Sequence, residues 1–240
     1  MNRSEIQRGI QSFGLLKTLQ NIAYRALNRV VFVRILKGVR ISVVDATFMK
    51  CSQNYRGSFL DADALLRFAS DPRNELQETF LLDALRNRDE CYGFLAGDVL
   101  ASYGWYSKRP TSIEQPELTL HFDPHYVYMY KGFTRMEHRG QRLHAVGMTR
   151  ALDAYLAQGY KGIVSYVEWS NFASLRSCYR MGYLDFGCIV VAKFLGRFFA
   201  YSTAGCRPYG FRLEWRGLQA VPAPKERGRR VAAAGPSGHA

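Results

Sequence analysis

The spacing of apolar and polar residues predicts an amphipathic helical segment near the start of the chain. Apolar residues recur at steps of three or four over residues 10–37, at Leu16, Leu19, Ala23, Leu27, Val30 and Val33. Basic residues interleave with them, at Lys17, Arg25, Arg29 and Arg34. We interpret this segment as one helix or a broken pair of helices with a basic, amphipathic character.

Beyond this segment the pattern alternates between strand-like and helix-like stretches. In chain order it predicts a strand over 40–49, helices over 59–70 and 74–88, a hairpin over 91–107, a long strand over 119–136, a helix to about residue 156, a strand over 162–170, a helix over 171–182, a strand over 183–195 and a last strand over 209–215 that pairs with the one before it. Asp71 and Pro72 separate the first two helices. This order predicts an α/β fold with parallel and antiparallel strands in one sheet.

Composition and charge exclude several classes of protein. Apolar residues make up 48% of the 240 residues, which is enough for a packed core and excludes a disordered chain. The sequence shows no secretory signal and no apolar run long enough for a transmembrane helix, and its five scattered cysteines fit reduced thiols in a cytoplasmic protein. Of the net charge of +13, residues 1–40 carry +7 and residues 217–240 carry +3. We therefore expect a basic helical extension over 1–40 and a disordered basic tail over 217–240.

Residues 136–148, MEHRGQRLHAVGM, join a predicted strand to a predicted helix through a short basic loop. Such a loop builds a phosphate-binding turn, because main-chain N–H groups and the positive end of the helix dipole favour an anion. Gly140 lies in this turn, but Arg142 and His144 stand where further glycines are expected. We expect these two residues to supply N–H groups from right-handed helical backbone, and Arg139 and Arg142 to add charge-assisted bonds to a diphosphate.

Together with a pattern farther along the chain, this loop resembles the diphosphate loop of the GNAT superfamily of N-acyltransferases. That loop reads Gln/Arg-x-x-Gly-x-Gly/Ala, and residues 139–144 occupy its place in degenerate form. The superfamily also shows an Asn after its fifth strand and a helix ending in Tyr-x-x-x-Gly-Phe, which we match to Asn171, Ser174, Tyr179, Gly182 and Tyr183. The resemblance implies a GNAT-like domain over about residues 41–216, with a mixed, mostly antiparallel twisted sheet and flanking helices.

The resemblance also implies an acyl-CoA site with candidate catalytic residues. A splay between the superfamily's fourth and fifth strands admits the thioester arm, and the cofactor-binding residues are expected to be Phe133, Arg135, Met136, Arg139, Gly140, Gln141, Arg142, Leu143, His144, Asn171 and Ser174. Tyr179 is implied as the acid that protonates the departing thiolate, and Glu137, Glu168 or a water chain as the base. No metal site is expected, because His121 and His125 flank Pro124 without a third ligand nearby.

The first functional hypothesis is transfer of an acyl group, most simply acetyl from acetyl-CoA, to a small-molecule or peptide amine. One alternative is a long-chain N-acyltransferase that uses acyl-carrier protein, whose acidic surface suits a basic helix. Another is a non-catalytic GNAT-like binding module, and no specific nucleic-acid partner is expected. The apolar stripe of the extension has three open fates: packing on the sheet, docking on a carrier protein, or lying on the anionic inner face of a membrane.

Overall fold

The computed structural model describes residues 3–113 and 115–215, and the predicted tail over 217–240 lies outside them. The helices are α1 (Arg3–Phe13), α2 (Leu15–Val30), α3 (Ala62–Ala69), α4 (Glu78–Asn87), α5 (Leu143–Ala157) and α6 (Phe172–Arg180). The strands are β1 (Val33–Ile41), β2 (Arg56–Leu60), β3 (Glu90–Ala96), β4 (Val99–Ser107), β5 (Thr111–Ile113), β6 (Gln115–His121), β7 (Tyr126–Thr134), β8 (Gly162–Glu168), β9 (Leu184–Phe194), β10 (Arg197–Ser202) and β11 (Arg212–Trp215). No helix in these described ranges is long and apolar enough to cross a bilayer.

The main sheet has eight strands in the order β10-β9-β1-β8-β7-β4-β3-β2. Neighbouring strands pair antiparallel except β7 and β8, which pair parallel. Helices α5 and α6 pack on one face of the sheet. The small sheet β11-β6-β5 and helices α3 and α4 cover the other face. The predicted mixed, mostly antiparallel sheet with flanking helices is therefore confirmed.

Strand β1 corrects the predicted boundary at residue 40. It lies inside the main sheet, where Leu36 is paired with Glu168 of β8 and Val33 with Ala192 of β9. Helix α2 ends earlier than predicted, because the run from Val30 to Ile35 is rich in β-branched residues, which favour a strand. From Arg3 onward, the helix pair α1–α2, broken at Gly14, is the structure that precedes the sheet. The predicted strand over 40–49 is mostly a loop with one 3-10 turn.

Three further predictions about strands are wrong. The long strand over 119–136 is divided into β6 and β7 by a turn, in which Asp123 Oδ1 accepts a hydrogen bond of 2.8 Å from the N–H of His125 after Pro124. Strand β11 pairs with β6, and the partner of β9 is instead β10. The sequence pattern misses strand β2, whose last two residues, Phe59 and Leu60, fall in the predicted helix over 59–70. The hairpin β3–β4 and helices α3 to α6 lie close to where the pattern placed them.

Candidate functional site

The parallel strands β7 and β8 separate in the middle of the sheet. They pair over three positions only, ending at Tyr128 with Val164, although β7 continues to Thr134 and β8 to Glu168. At the point of separation the Ser165 hydroxyl donates a hydrogen bond of 2.7 Å to the Met129 carbonyl. Beyond it, the edge of β7 that faces β8 has no strand partner among the described residues. We call this opening the strand split; it is the splay that the resemblance predicted.

Hydrogen bonds to β4 decide which main-chain groups of β7 face the strand split. The Arg135 N–H donates to the Ala101 carbonyl at 3.0 Å, and the Phe133 carbonyl accepts from the Ser102 hydroxyl at 2.8 Å, so these two residues direct main-chain groups toward β4. Because main-chain groups alternate along an antiparallel strand, those of Gly132 and Thr134 face the strand split. Phe133 and Arg135, expected at the cofactor from the resemblance, thus direct main-chain groups to β4, and their contact with a cofactor stays a prediction.

The Arg135 side chain positions the end of β7. It is 3% exposed, and its guanidinium donates to Asn74 Oδ1 from Nε at 2.9 Å and from Nη2 at 2.6 Å. Nη2 also donates to Asp71 Oδ2 at 2.7 Å. Hydrogen bonds from Arg73 and Arg135 hold the pKa of the Asp71 carboxyl far below its usual range. Arg135 thus ties β7 to the turn between α3 and α4, away from the predicted diphosphate site.

The loop before α5 has the backbone of an anion-binding turn. Gly140 has φ +82° and Arg142, the residue that caps α5, has φ +60°, so both adopt the left-handed conformation. The first main-chain bond within α5 runs from the Val146 N–H to the Arg142 carbonyl at 3.0 Å. The N–H groups of residues 143–145 therefore lie at the positive end of the helix dipole without an intrahelical acceptor.

The left-handed backbone of Arg142 corrects the expected right-handed one. It also explains the motif, because glycine adopts this conformation without the steric cost that a side chain brings. Arg142 stands where the GNAT loop has its first glycine, and the chain keeps the glycine-like turn there. Its guanidinium lies 4.6 Å from the ring centre of Phe48, which holds the side chain beside the loop.

His144, at the motif's second glycine, turns its ring toward the sheet. The ring packs against Gly132 so closely that a Cβ on Gly132 would lie 2.9 Å from Nδ1. Burial lowers the pKa of His144, which keeps the imidazole neutral near pH 7. Its side chain therefore fills space between α5 and β7, and its main-chain N–H is the group left for a phosphate.

A groove of about 620 Å³ runs from this loop to α6. Its lining residues are Phe48, Gly140, Arg142, His144, Ala145, Ser177, Arg180 and Met181. Two exposed guanidiniums, of Arg142 and Arg180, border it, and no carboxylate belongs to this lining. Arg139 adds a third exposed cation nearby, with Nε 3.3 Å from the Thr134 carbonyl, while Gln141 is exposed in the loop. The groove suits an anionic ligand that reaches the loop N–H groups.

Asn171 and Ser174 interact with each other at the start of α6. Asn171 Oδ1 accepts from the Ser174 N–H at 3.1 Å and caps the helix. The Asn171 N–H donates to the Glu168 carbonyl at 2.8 Å, which joins the end of β8 to α6. The resemblance placed Asn171 at the cofactor, and in the structure it ties the strand to the helix. Met136, also expected at the cofactor site, lies in the turn after β7 and is largely exposed.

Tyr179 does not meet the spacing or the position expected of the acid. It stands three residues before Gly182, whereas Tyr-x-x-x-Gly requires four, and Cys178 occupies that position. The Tyr179 hydroxyl donates to Asp185 Oδ1 at 2.9 Å and accepts from Lys37 Nζ at 2.8 Å. It lies in a separate cleft between α6 and the α1–α2 pair. Burial raises the pKa of Tyr179, and burial raises that of Cys178 to about 11.

The two carboxylates predicted as bases occupy different surroundings. Glu168 accepts hydrogen bonds from Arg34 at 2.8 Å and Tyr24 at 3.2 Å, which tie β8 to β1 and α2. Glu137 is exposed in the turn before the loop, 3.7 Å from Arg135. A hydrogen bond from its own main chain lowers the pKa of Glu137. Neither carboxylate lines the groove.

Comparisons with known proteins add only distant likenesses. No family model and no curated protein matches the chain. Among solved structures, a GNAT-family protein from Novosphingobium aromaticivorans matches with 15% identity and a TM-score of 0.46, over 68% of this chain and 65% of that one, so the match spans less than two thirds of the relative. An acetyltransferase of the GNAT family from Colwellia psychrerythraea matches with 16% identity and a TM-score of 0.47, over 72% and 62%. The protein yncA from Salmonella typhimurium, solved with its cofactor acetyl-CoA, matches with 14% identity and a TM-score of 0.39, over 71% and 98%.

Proposed function

We propose that this chain is an N-acyltransferase of the GNAT type that takes its acyl group from acyl-CoA, most simply acetyl-CoA. The observation that carries the proposal is the pairing of the strand split with a helix N-terminus beside it. Strands β7 and β8 separate after Tyr128 and Val164, and β7 leads through the turn to left-handed Gly140 and Arg142 at the start of α5. An open strand edge and an anion-binding turn together match the two parts of acyl-CoA, an amide-bearing arm and a diphosphate.

The residues present fit such a ligand. N–H groups of residues 143–145 and the guanidiniums of Arg142 and Arg180 would hold the diphosphate. Main-chain groups of Gly132 and Thr134 would pair with the amides of the arm, as a further strand would. When bound, the thioester supplies an activated acyl group that a neutral amine attacks directly.

Proton transfer is assigned by elimination among the described groups. Both carboxylate oxygens of Glu168 already accept hydrogen bonds, and Glu137 is exposed with a lowered pKa. Tyr179 points away from the groove. We therefore propose that water in the strand split carries the amine proton away, which was the alternative to a carboxylate base.

Acyl-carrier protein is the second candidate donor. It presents the same pantetheine arm, and helices α1–α2 carry exposed Lys17 and Arg25 that suit its acidic surface. The groove at Arg142 and Arg180 favours CoA, because only CoA has the adenosine diphosphate that would occupy it.

The test is release of free thiol from acetyl-CoA in the presence of a panel of primary amines. Wild type should release thiol with at least one amine, and Gly140→Pro should not, because proline requires φ near −65° and removes the N–H. Gly159→Pro is the matched control, since Gly159 has φ +92° at the other end of α5. Folded wild type that neither binds nor turns over acetyl-CoA, or equal loss in both variants, would contradict the proposal.

A further inference from the structure

The apolar stripe of α2 faces outward from the protein. Leu15, Leu16, Leu19 and Leu27 are 59%, 71%, 52% and 49% exposed. The helix instead contacts the domain through Tyr24, whose hydroxyl donates to the Val33 carbonyl at 3.0 Å. Packing on the sheet, one of the three fates left open by the sequence, is thus not what this stripe does.

A second exposed apolar group lies on the β9–β10 hairpin. Phe194 and Leu195 at its tip are 65% and 86% exposed, and Phe199 and Tyr201 are 57% and 68% exposed. Phe199 and Tyr201 share one face of β10, opposite the face of buried Phe198, and β10 is the edge strand of the main sheet. Four large exposed side chains on one hairpin are more than a soluble surface needs.

The C-terminal end of α2 meets the hairpin at one end of the sheet. Helix α2 leads through Val31, itself 41% exposed, directly into β1. The first residue of β1, Val33, pairs with Ala192, and the Lys193 N–H donates to the Phe32 carbonyl at 3.0 Å. The hairpin tip therefore lies beside the end of α2. We call the combined surface the apolar ridge: Leu15, Leu16, Leu19, Leu27, Val31, Phe194, Leu195, Phe199 and Tyr201.

Two cations border the apolar ridge at the hairpin. Lys193 and Arg197 are exposed on either side of the hairpin tip, whereas Lys17 and Arg25 of α2 line clefts on the other side of that helix. Neither Lys193 nor Arg197 has a carboxylate partner within ion-pair distance in the described part of the chain. Cations without a carboxylate partner beside an apolar surface complement a ligand that is apolar inside and anionic at its boundary.

We infer that the apolar ridge is a docking surface for an anionic lipid bilayer. Leucine and phenylalanine side chains would enter the interface between headgroups and acyl chains, while the bordering cations would meet the headgroup phosphates. A membrane fits better than a carrier protein, because the apolar residues stand on a helix side, a hairpin tip and an edge strand and do not line a groove. This inference is independent of acyl transfer and stands or falls without it.

Docking would place the active region next to the membrane. The end of the sheet where β1 begins is also the end where β8 finishes, since Leu36 pairs with Glu168. The strand split opens toward that same end, beyond Val164. A bound protein would therefore hold its proposed active site close to the lipid headgroups.

The test is sedimentation of the full chain with phosphatidylglycerol/phosphatidylcholine vesicles and with phosphatidylcholine vesicles alone. Wild type should pellet with the anionic vesicles and stay in solution with the neutral ones. Leu19→Glu with Leu195→Glu should abolish pelleting, and reversal of Lys193 and Arg197 to Glu should weaken it by at least about tenfold. Val43→Glu is the matched control, because Val43 is 77% exposed beyond the opposite end of β1, and it should pellet as wild type does.

Several results would overturn the inference. The inference is overturned if wild type stays in solution with anionic vesicles. It is also overturned if the Leu19→Glu, Leu195→Glu variant pellets normally, because binding would then come from another part of the chain. A wild-type dimer in light scattering that the double variant converts to a monomer would assign the ridge to contact between copies. Unchanged circular dichroism in each variant excludes unfolding as the cause.

Discussion

Replacement of Arg142 by glycine separates the backbone of the loop from its charge. Arg142 holds a left-handed conformation, φ +60° and ψ +14°, as the residue that caps α5. A glycine keeps that turn and its N–H groups and removes only the guanidinium. If the loop is a degenerate diphosphate loop, Arg142→Gly should fold as well as wild type and bind CoA more weakly.

The magnitudes follow from the contacts of Arg142. Left-handed backbone costs an L-residue about 1–2 kcal/mol, which glycine relieves. Glycine adds about 0.4–1 kcal/mol of unfolded-chain entropy, and loss of the contact with Phe48 costs about 0.5–1 kcal/mol. These contributions nearly cancel, so the free energy of unfolding should stay within about 1 kcal/mol of wild type. Arg142→Ala keeps the backbone cost and loses the contact, and should be less stable than Arg142→Gly by about 1 kcal/mol.

The affinity for acetyl-CoA should not follow the stabilities: it should fall equally in Arg142→Gly and Arg142→Ala. Both Arg142 variants lose one charge-assisted bond at a solvent-exposed site, which we expect to weaken binding about tenfold. Arg67→Ala, which removes one exposed cation from α3 on the other face of the sheet, should leave the affinity unchanged. Urea denaturation gives the stabilities and isothermal titration calorimetry the affinities. Arg142→Gly with wild-type affinity, or Arg142→Ala more stable than Arg142→Gly, would refute the reasoning.

Three other predictions concern buried or partnered side chains near the site. Gly132→Ala should destabilise the fold by about 1–3 kcal/mol, because the new methyl group collides with the His144 ring. Adding His144→Ala to that variant should recover about 1 kcal/mol or more of the lost stability. Strictly additive effects in urea denaturation would show that the two side chains do not touch. Because burial lowers the pKa of His144, stability should fall as the pH drops below about 6.5, and His144→Gln should remove part of that slope in thermal melts; an unchanged slope would contradict the burial argument. Tyr179→Phe should keep kcat within about twofold, because its hydroxyl serves Lys37 and Asp185, whereas a loss of about 100-fold would restore it as the acid.

The hydrophobic pattern predicted those elements whose partners are close in the sequence. The hairpin β3–β4 and helix α5 follow from local alternation and helical spacing. Strand β1 could not be placed in the same way, because its neighbours β8 and β9 lie more than 120 residues away and its residues continue the helical spacing of α2. The last strand was expected beside β9, where the structure has β10. This error has the same cause, since the local pattern does not say which strands pair.

The site shows where motif matching stops short of geometry. The loop over 139–144 lies at the start of α5 as the motif implied, and its backbone turns as glycine would at Arg142. Arg135 and Glu168 also lie near the strand ends, but their side chains bind other parts of the protein, at Asn74 and Arg34. The direction of a long side chain depends on partners that are distant in sequence, so position on a motif does not fix it. The two-residue alternation along β7 could have predicted that Gly132 and Phe133 direct their main-chain groups to opposite sides of the strand.

Amide hydrogen exchange with and without acetyl-CoA tests the central claim most directly. If acyl-CoA lies along the strand split and on the loop, bound acetyl-CoA should slow exchange in peptides covering residues 130–135 and 140–146, because ligand groups would pair with or cover those N–H groups. Peptides from α3 and from the β3–β4 hairpin should exchange at unchanged rates. Calorimetrically saturated protein that shows no protection in the first two peptides, or protection confined to other segments, would contradict the account.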